Sequence, residues 1–247
     1  MFNIFKTRSA TVTAVQFPVT TDIHSHILPG IDDGAPDMET SLKLIQGLYD
    51  LGVRRSIATP HIIGDLYRNT PATINAALEK TKIACRAAGI NVDLSAAAEY
   101  MLDDHFMELL RKKEPLLTLY KNLLLVEIPY TAPPYDLDEM LFSIITEGYQ
   151  PVLAHPERYF FYHNNMKEYA RLKEIGFLLQ VNLLSLTGYY GKGAMRAAIY
   201  ILENGLAELV GTDMHHRRHL GALNDAGHIQ VFNKYLKGRV LNDLDKF

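Results

Sequence analysis

Between Thr21 and Gly34 the chain reads Thr-Asp-Ile-His-Ser-His-Ile-Leu-Pro-Gly-Ile-Asp-Asp-Gly, placing two imidazoles and, a little further on, two adjacent carboxylates beside turn-forming residues. On an extended strand alternate side chains share a face, so His24 and His26 would point together while Ser25 points away. Two imidazoles converging on one point suit a borderline divalent metal. Pro29, Gly30 and Gly34 turn the chain, which can carry Asp32 or Asp33 back toward the same point as an oxygen ligand. A His-x-His pair is short enough to arise by chance, so the other metal-competent residues must decide.

Those residues fall in a pattern. His61 follows the strand-like run Val53 to Thr59, Glu99 follows Asn91 to Ala98, and Glu127 lies near the end of Asn122 to Ile128. His155 follows Gln150 to Ala154, and Asp213 and His215 follow Glu208 to Gly211. Phe177 to Asn182 is a further strand. Between these runs the apolar spacing, start signals and glycine stops predict helices over 38–51, 71–88, 104–112, 137–147, 166–175 and 193–204, with a last one over 226–236. Strand and helix alternate through about seven units, which predicts one parallel α/β domain closed or nearly closed into a barrel. In such a barrel all the strand carboxyl ends lie on one face, where active sites are built.

Imidazoles and carboxylates without thiolates suit Zn, Mn or Fe, and their number exceeds what one ion can use. Closely spaced ions activate water and share the charge that develops in phosphoryl or acyl transfer. Arg158, in His-Pro-Glu-Arg-Tyr, stands near the same mouth and offers a planar fork for phosphate oxygens. Its alternative use is a surface ion pair with Glu157 or Asp136.

The totals remove other classes. The chain has 247 residues, 48% hydrophobic and 21% charged, with a formal net charge of −3, so there is no polybasic footprint and nucleic acid is not an expected partner. Cys85 is the only cysteine, so no intramolecular disulfide can form, and Asn91 stands where a Cys-x5-Arg phosphate loop would need arginine. Apolar runs such as Leu123 to Val126 stop far short of the ~18 residues of a membrane span, and the first twenty residues lack a continuous apolar secretory segment. A cytoplasmic protein that is not membrane-inserted is therefore expected. Residues 1–20 read as an arm and 21–247 as the catalytic domain, with self-association through residues 10–20 as a further expectation.

Taken together, Asp-Ile-His-Ser-His-Ile-Leu-Pro-Gly-Ile-Asp-Asp-Gly, Ala-Thr-Pro-His, Ala-Glu-Tyr, Val-Glu-Ile-Pro-Tyr, Ala-His-Pro-Glu-Arg-Tyr and Gly-Thr-Asp-Met-His run from Thr21 to His215. On these motifs the chain resembles the PHP (polymerase and histidinol phosphatase) superfamily, and within it the CpsB/CapC-type protein-tyrosine phosphatases of bacterial capsule and exopolysaccharide loci. The resemblance implies a single distorted (β/α)7 TIM-like barrel and a multinuclear centre of three divalent ions, Mn foremost with Fe or Zn as alternatives. It implies the ligands His24, His26, Asp33, His61, Glu99, Glu127, His155, Asp213 and His215, with Asp33 matching the family position rather than Asp32. Arg158 matches the residue that grips phosphate, and with Asp33 and His61 it is expected to serve catalysis. Relatives carry another arginine after the Asp-x-His motif, where this chain has His216-Arg217-Arg218-His219, so Arg217 or Arg218 would take that part, with Arg68 a further rim candidate. The implied substrate is a phosphotyrosine protein, a tyrosine autokinase of a polysaccharide export system. The competing readings are a small-molecule phosphomonoesterase of the histidinol-phosphate type, an amidohydrolase barrel, for which no bridging lysine stands at a matching strand end, and a non-catalytic kinase-docking module.

Overall fold

The structure, a computed structural model, describes residues 16–246. Its order is β1 (Thr21–Asp22), α1 (Met38–Leu51), β2 (Arg55–Ala58), β3 (His61–Ile62), α2 (Pro71–Ala87), β4 (Asp93–Ala96), β5 (Glu99–Met101), α3 (Asp104–Arg111) and β6 (Leu123–Glu127). Then follow α4 (Leu137–Thr146), β7 (Gln150–Ala154), α5 (Glu168–Glu174), β8 (Leu178–Asn182), α6 (Lys192–Glu203), β9 (Ala207–Gly211), α7 (Arg217–Leu223) and α8 (Ala226–Leu236). Short 3-10 turns occupy Pro156–Arg158, Phe160–Tyr162, Leu183–Thr187 and Leu244–Lys246.

Every strand pairing is parallel. The strands divide between two sheets, β1-β2-β4 and β3-β5-β6-β7-β8-β9, so a single closed barrel ladder is not formed. Pro60 accounts for part of the break, since it has no N–H to donate between β2 and β3. The chain nevertheless bridges the gap: Ala97 N donates to Ala58 O at 2.8 Å and Glu99 N to Pro60 O at 3.1 Å. Beyond β1 and β9, Asp213 N donates to His24 O and His26 N to Met214 O, both at 2.8 Å, around an isolated Ser25–Met214 bridge.

Alternation along the strands sorts side chains onto two faces. Leu123, Leu125, Val152, Ala154 and Leu209 join Ile57 and Ala97 in one buried cluster, whereas Leu124, Val126, Leu153, Leu179, Val181 and Val210 pack under the helices in the larger one. Glu127 continues the phase of Leu123 and Leu125, and Glu99 that of Ala97, which aims both carboxylates away from the helices.

Helix α1 shows why the helical layer forms where the spacing predicts. The Asp37 side chain accepts from Thr40 N at 2.7 Å, Leu44, Ile45 and Leu48 are buried, and Gly52 ends the helix at φ 110. Helix α7 and the 3-10 turns are absent from the sequence expectation because they are short and lack an apolar stripe long enough to show a period.

Residues 16–20 do not stand apart from the domain. Phe17 and Val19 are buried, and the Phe17 ring meets Phe232 of α8 edge-on at 6.1 Å. The remainder of the expected arm, residues 1–15, including most of the segment assigned to self-association, lies outside the described residues. Among the described residues no helix is long and apolar enough to cross a membrane.

Candidate metal centre

The nine residues expected as ligands come together. Their donor atoms form four overlapping groups: His26, Asp33, His61 and His215; His24, His26 and Asp213; His24, Glu99 and His155; and His61, Glu99 and Glu127. Within each group the donor atoms lie within 4.8 Å of one another.

Local structure delivers each side chain. His24 and His26 are fully buried beyond β1. The turn after them folds back so tightly that a Cβ at Gly34 would stand 1.9 Å from His26 O, which only glycine permits. That turn separates the two aspartates. Asp32 accepts from His26 Nδ1 at 2.8 Å, His61 N at 3.2 Å and Gly34 N at 3.0 Å, which leaves it an anchor for the His26 ring. Asp33 remains 51% exposed, with Oδ1 3.5 Å from both His61 Nε2 and His215 Nε2. The geometry thus favours Asp33 over Asp32. At the ends of β7 and β9, His155 and Asp213 adopt left-handed backbone (φ 36 and 50), unusual for residues other than glycine and typical of functional sites.

Glu99 is central. Its Oε2 lies 3.2 Å from each of His24 Nε2, His26 Nε2 and His61 Nδ1, and its Oε1 lies 3.0 Å from His155 Nε2. Asp213 Oδ1 lies 3.4 to 3.5 Å from His24 Nε2, His26 Nε2 and His215 Nδ1.

Two side chains that sequence reasoning missed fix how these rings present themselves. The Asp213 carboxylate can only accept, so Asn182 must turn Nδ2 toward Asp213 Oδ2, at 2.8 Å. Asn182 Oδ1 then accepts from Gln180 Nε2 at 2.9 Å, and Gln180 Oε1 is left facing His24 Nδ1 at 2.7 Å. His24 therefore keeps a proton on Nδ1 and turns Nε2 to the cluster, where its lone pair is available once the ring is neutral. Asp32 does the same for His26. The signal in the sequence was the spacing of two polar residues, Gln180 and Asn182, on one face at the end of β8, a strand with no candidate ligand after it. Asp22 and Glu157 were missed as well. Asp22, fully buried, accepts from Thr212 N at 2.9 Å and Thr212 Oγ1 at 2.6 Å and so pins β1 beside the end of β9, though burial pushes its carboxyl up to about 6. Glu157 accepts from Asn182 N at 2.9 Å and Ser185 Oγ at 2.7 Å, and burial pushes it up to about 7.

The donor set fits divalent cations. His24 Nε2 and His26 Nε2 lie 3.2 Å apart with carboxylate oxygens around them, so once both imidazoles are neutral the assembly offers acceptors without a donor. Ligands about 2.1 Å from a shared tetrahedral ion would stand ~3.4 Å from each other, the spacing found here. His61 Nδ1 and Glu127 Oε1 are 2.9 Å apart, yet both are buried without a properly directed hydrogen bond. Burial opposes charge on Glu99 and Asp213, but the neighbouring imidazoles, with Arg158 at Asp213, hold both well below the usual carboxylate range. Burial likewise opposes charge on His24, yet Glu99 and Asp213 push it up to about 10. Protons here stand in for cations, which would displace them because ligand imidazoles must be neutral.

Arg158 borders the cluster, 23% exposed, and its Nη1 donates to Asp213 Oδ2 at 2.5 Å. Burial alone would lower its pKa, but Asp213 outweighs that and keeps it charged. The surface pair with Glu157 or Asp136 is replaced by this one. The other candidate substrate contacts are placed differently. Arg68 is exposed, donates to Gly64 O at 2.6 Å, and lines a cavity of about 840 Å³ that none of the nine ligand candidates borders. Arg217 and Arg218 open α7, exposed, and Arg217 acts on Asp37 and Glu39 at the start of α1.

Comparison with known proteins agrees with the geometry. The tyrosine-protein phosphatase YwqE of Bacillus subtilis is 30% identical over 194 residues, 78% of this chain and 76% of that protein. The tyrosine-protein phosphatase CpsB of Streptococcus pneumoniae is 29% identical over 78% of this chain and 82% of its own length. A crystal structure from work on YwqE and CpsB, described as unique metal-dependent tyrosine phosphatases, matches with a TM-score of 0.78 at 28% identity, covering 92% of this chain and 90% of that one. A lactonase from Listeria monocytogenes matches at TM-score 0.53 and 14% identity, over 94% and 92% of the two chains, a likeness of fold alone. Residues 20–235 match the family described as capsular polysaccharide synthesis, CpsB/CapC, and the chain belongs to that family.

Proposed function

We propose that this chain is a metal-dependent phosphatase that hydrolyses phosphotyrosine in a protein of a capsule or exopolysaccharide system, with a tyrosine autokinase as its partner in the cytoplasm. The observation that carries the reading is the convergence of His24, His26, Asp33, His61, Glu99, Glu127, His155, Asp213 and His215 in four overlapping groups beside the charged Arg158. Overlap favours several ions sharing ligands, three in this reading. A nitrogen and oxygen donor set without sulfur suits Mn, with Fe or Zn as the alternatives. Seven strand positions support reading the two sheets as one distorted barrel of the PHP type: β2 runs on into β3, β4 into β5, and the Ser25–Met214 bridge links the segments beyond β1 and β9.

When bound, such ions neutralise phosphate charge and activate water for in-line displacement. The chain's own residues do the rest. Arg158 presents a fixed cationic fork to the phosphoryl oxygens, and because Asp213 already takes one of its N–H groups its orientation is set before substrate arrives. Asp33 and His61 border the open side of the cluster, Asp33 half exposed, where they can reach the reacting group. Arg217 or Arg218, and Arg68, would contact the substrate protein from farther out. The leaving phenol, with a free pKa near ~10, needs less help from a general acid than an alkyl alcohol does.

Metal analysis of the purified chain, with turnover of a phosphotyrosine peptide and of histidinol phosphate by wild type and His155→Ala, tests the reading. More than one ion per chain, preference for the peptide and a large loss in the variant are expected. A metal-free chain that is still active, or one inert toward phosphotyrosine with its ions bound, would refute it.

A further inference from the structure

Arg158 is flanked by two aromatic rings that belong to no ligand group. Its guanidinium carbon lies 4.5 Å from the ring centroid of Tyr190 and 5.2 Å from that of Tyr130, a placement in which ring faces attract the cation. Tyr190 sits just before α6, between Gly188 and Gly191, whose φ values of 82 and 94 shape the loop. Tyr189 and His219 pack against its ring at centroid distances of 5.1 and 6.1 Å.

The hydroxyl of Tyr190 is the telling atom. It is buried and has no hydrogen-bond partner among the described residues. Burial raises its pKa, so the group keeps its proton, and the Arg158 guanidinium over its ring is the charged group it touches. Other buried tyrosines behave differently: the hydroxyls of Tyr100 and Tyr159 accept from Leu117 N and Ile128 N. Tyr169 also has an unpaired hydroxyl, but the first charge acting on it is that of Glu157, outside the ligand cluster. An unpaired buried hydroxyl is a cost that phenylalanine would avoid, and on a ring that backs Arg158 it becomes useful only when an acceptor arrives.

We propose that Tyr190 is a substrate-contacting residue, its ring backing the Arg158 guanidinium and its O–H donating to an oxygen of the phosphoryl group that Arg158 grips. The inference rests on the phosphatase reading and adds to it a neutral donor that no ligand group supplies. The test uses the full chain loaded with metal. Y190F and wild type are compared in kcat/KM for a phosphotyrosine peptide, calorimetric affinity for inorganic phosphate, metal content and thermal midpoint.

Y190F should lose about tenfold in kcat/KM and in phosphate affinity, because a hydrogen bond to a charged oxygen is among the stronger ones. Its metal content should be unchanged and its midpoint equal or higher. Y190A, which also removes the ring beside Arg158, should lose more. Y190F with wild-type phosphate affinity overturns the inference; so does Y190F that loses metal or unfolds, since the hydroxyl is then structural. A metal-loaded wild type that binds phosphate without cleaving phosphotyrosine refutes the phosphatase reading instead, and the phosphate affinities of the two proteins still decide the role of Tyr190.

Discussion

Replacing Asn182 by Ala should weaken metal binding ten- to a hundredfold without altering one of the nine candidate ligands. Asn182 Nδ2 restrains Asp213 Oδ2 at 2.8 Å, and Asn182 Oδ1 is what compels Gln180 to donate with Nε2 and face His24 with its oxygen. With the amide gone, Gln180 is free to flip and present N–H to His24 Nδ1. That forces the proton onto Nε2, the atom meant for the metal. Loss of outer-layer partners of this kind costs roughly ten- to a hundredfold in metal affinity, about 1.4 to 2.7 kcal/mol. Two side-chain hydrogen bonds at about 1 kcal/mol each bring a stability loss on the order of 2 kcal/mol, while the bond from Asn182 N to Glu157 survives. Calorimetric titration of metal-stripped protein with Mn measures the affinity, and urea unfolding measures the stability. Because Gln180 and Asn182 act as one chain, Gln180→Ala added to Asn182→Ala should cost little more than either alone. Wild-type affinity in Asn182→Ala, or full additivity in the double variant, would refute the reasoning.

Three further outcomes follow from the geometry. Gly34→Ala should destabilise the protein by about 1 to 3 kcal/mol and reduce metal content, since its Cβ would meet His26 O at 1.9 Å and displace a ligand; thermal unfolding and elemental analysis check both. Asp33→Asn should lower the number of ions bound per chain, whereas Asp32→Asn should keep the number and weaken affinity, which metal titration separates. Glu157 titrates against the fold: its folded pKa is raised from 4.5 to about 7, so its contribution is full below the unfolded value and is lost as pH rises through the folded one. Between pH 4.5 and 8 wild type should therefore lose up to about 3 kcal/mol relative to Glu157→Gln, read from denaturant unfolding with chelator present in both; parallel curves would exclude it.

Much of the fold is legible because strong local signals agree with the tertiary arrangement. Helix α1 begins and ends at the predicted residues, where an Asp cap and a left-handed glycine mark its limits, and β7 and α8 also match their expected bounds. The division into two sheets is not legible. A strand run such as Asn91 to Ala98 gives no hint that one ladder ends at Ala96 and another begins at Glu99, because pairing is a property of the neighbours and not of the run. The candidate ligands are legible for a different reason. All but Asp33, which a turn brings back, are residue types rare at or just past the end of an apolar strand, and a parallel topology gathers such ends on one face. The supporting residues are not: Gln180, Asn182, Asp22 and Tyr190 are ordinary types whose meaning lies in what they touch.

Asp213 shows why ligand and substrate chemistry cannot be assigned separately here. Its Oδ1 faces His24, His26 and His215, while its Oδ2 accepts from Asn182 and Arg158, so one carboxylate divides its oxygens between the candidate metal groups and the arginine proposed to grip phosphate. The left-handed backbone at Asp213, φ 50, turns the side chain to reach both, and the Asp22–Thr212 bonds hold that turn. Any shift that draws Oδ1 toward an ion must pull Oδ2, and Arg158 with it. The position of the cationic fork is therefore set by the metal groups, and the grip on phosphate should strengthen or fail together with metal loading rather than independently of it.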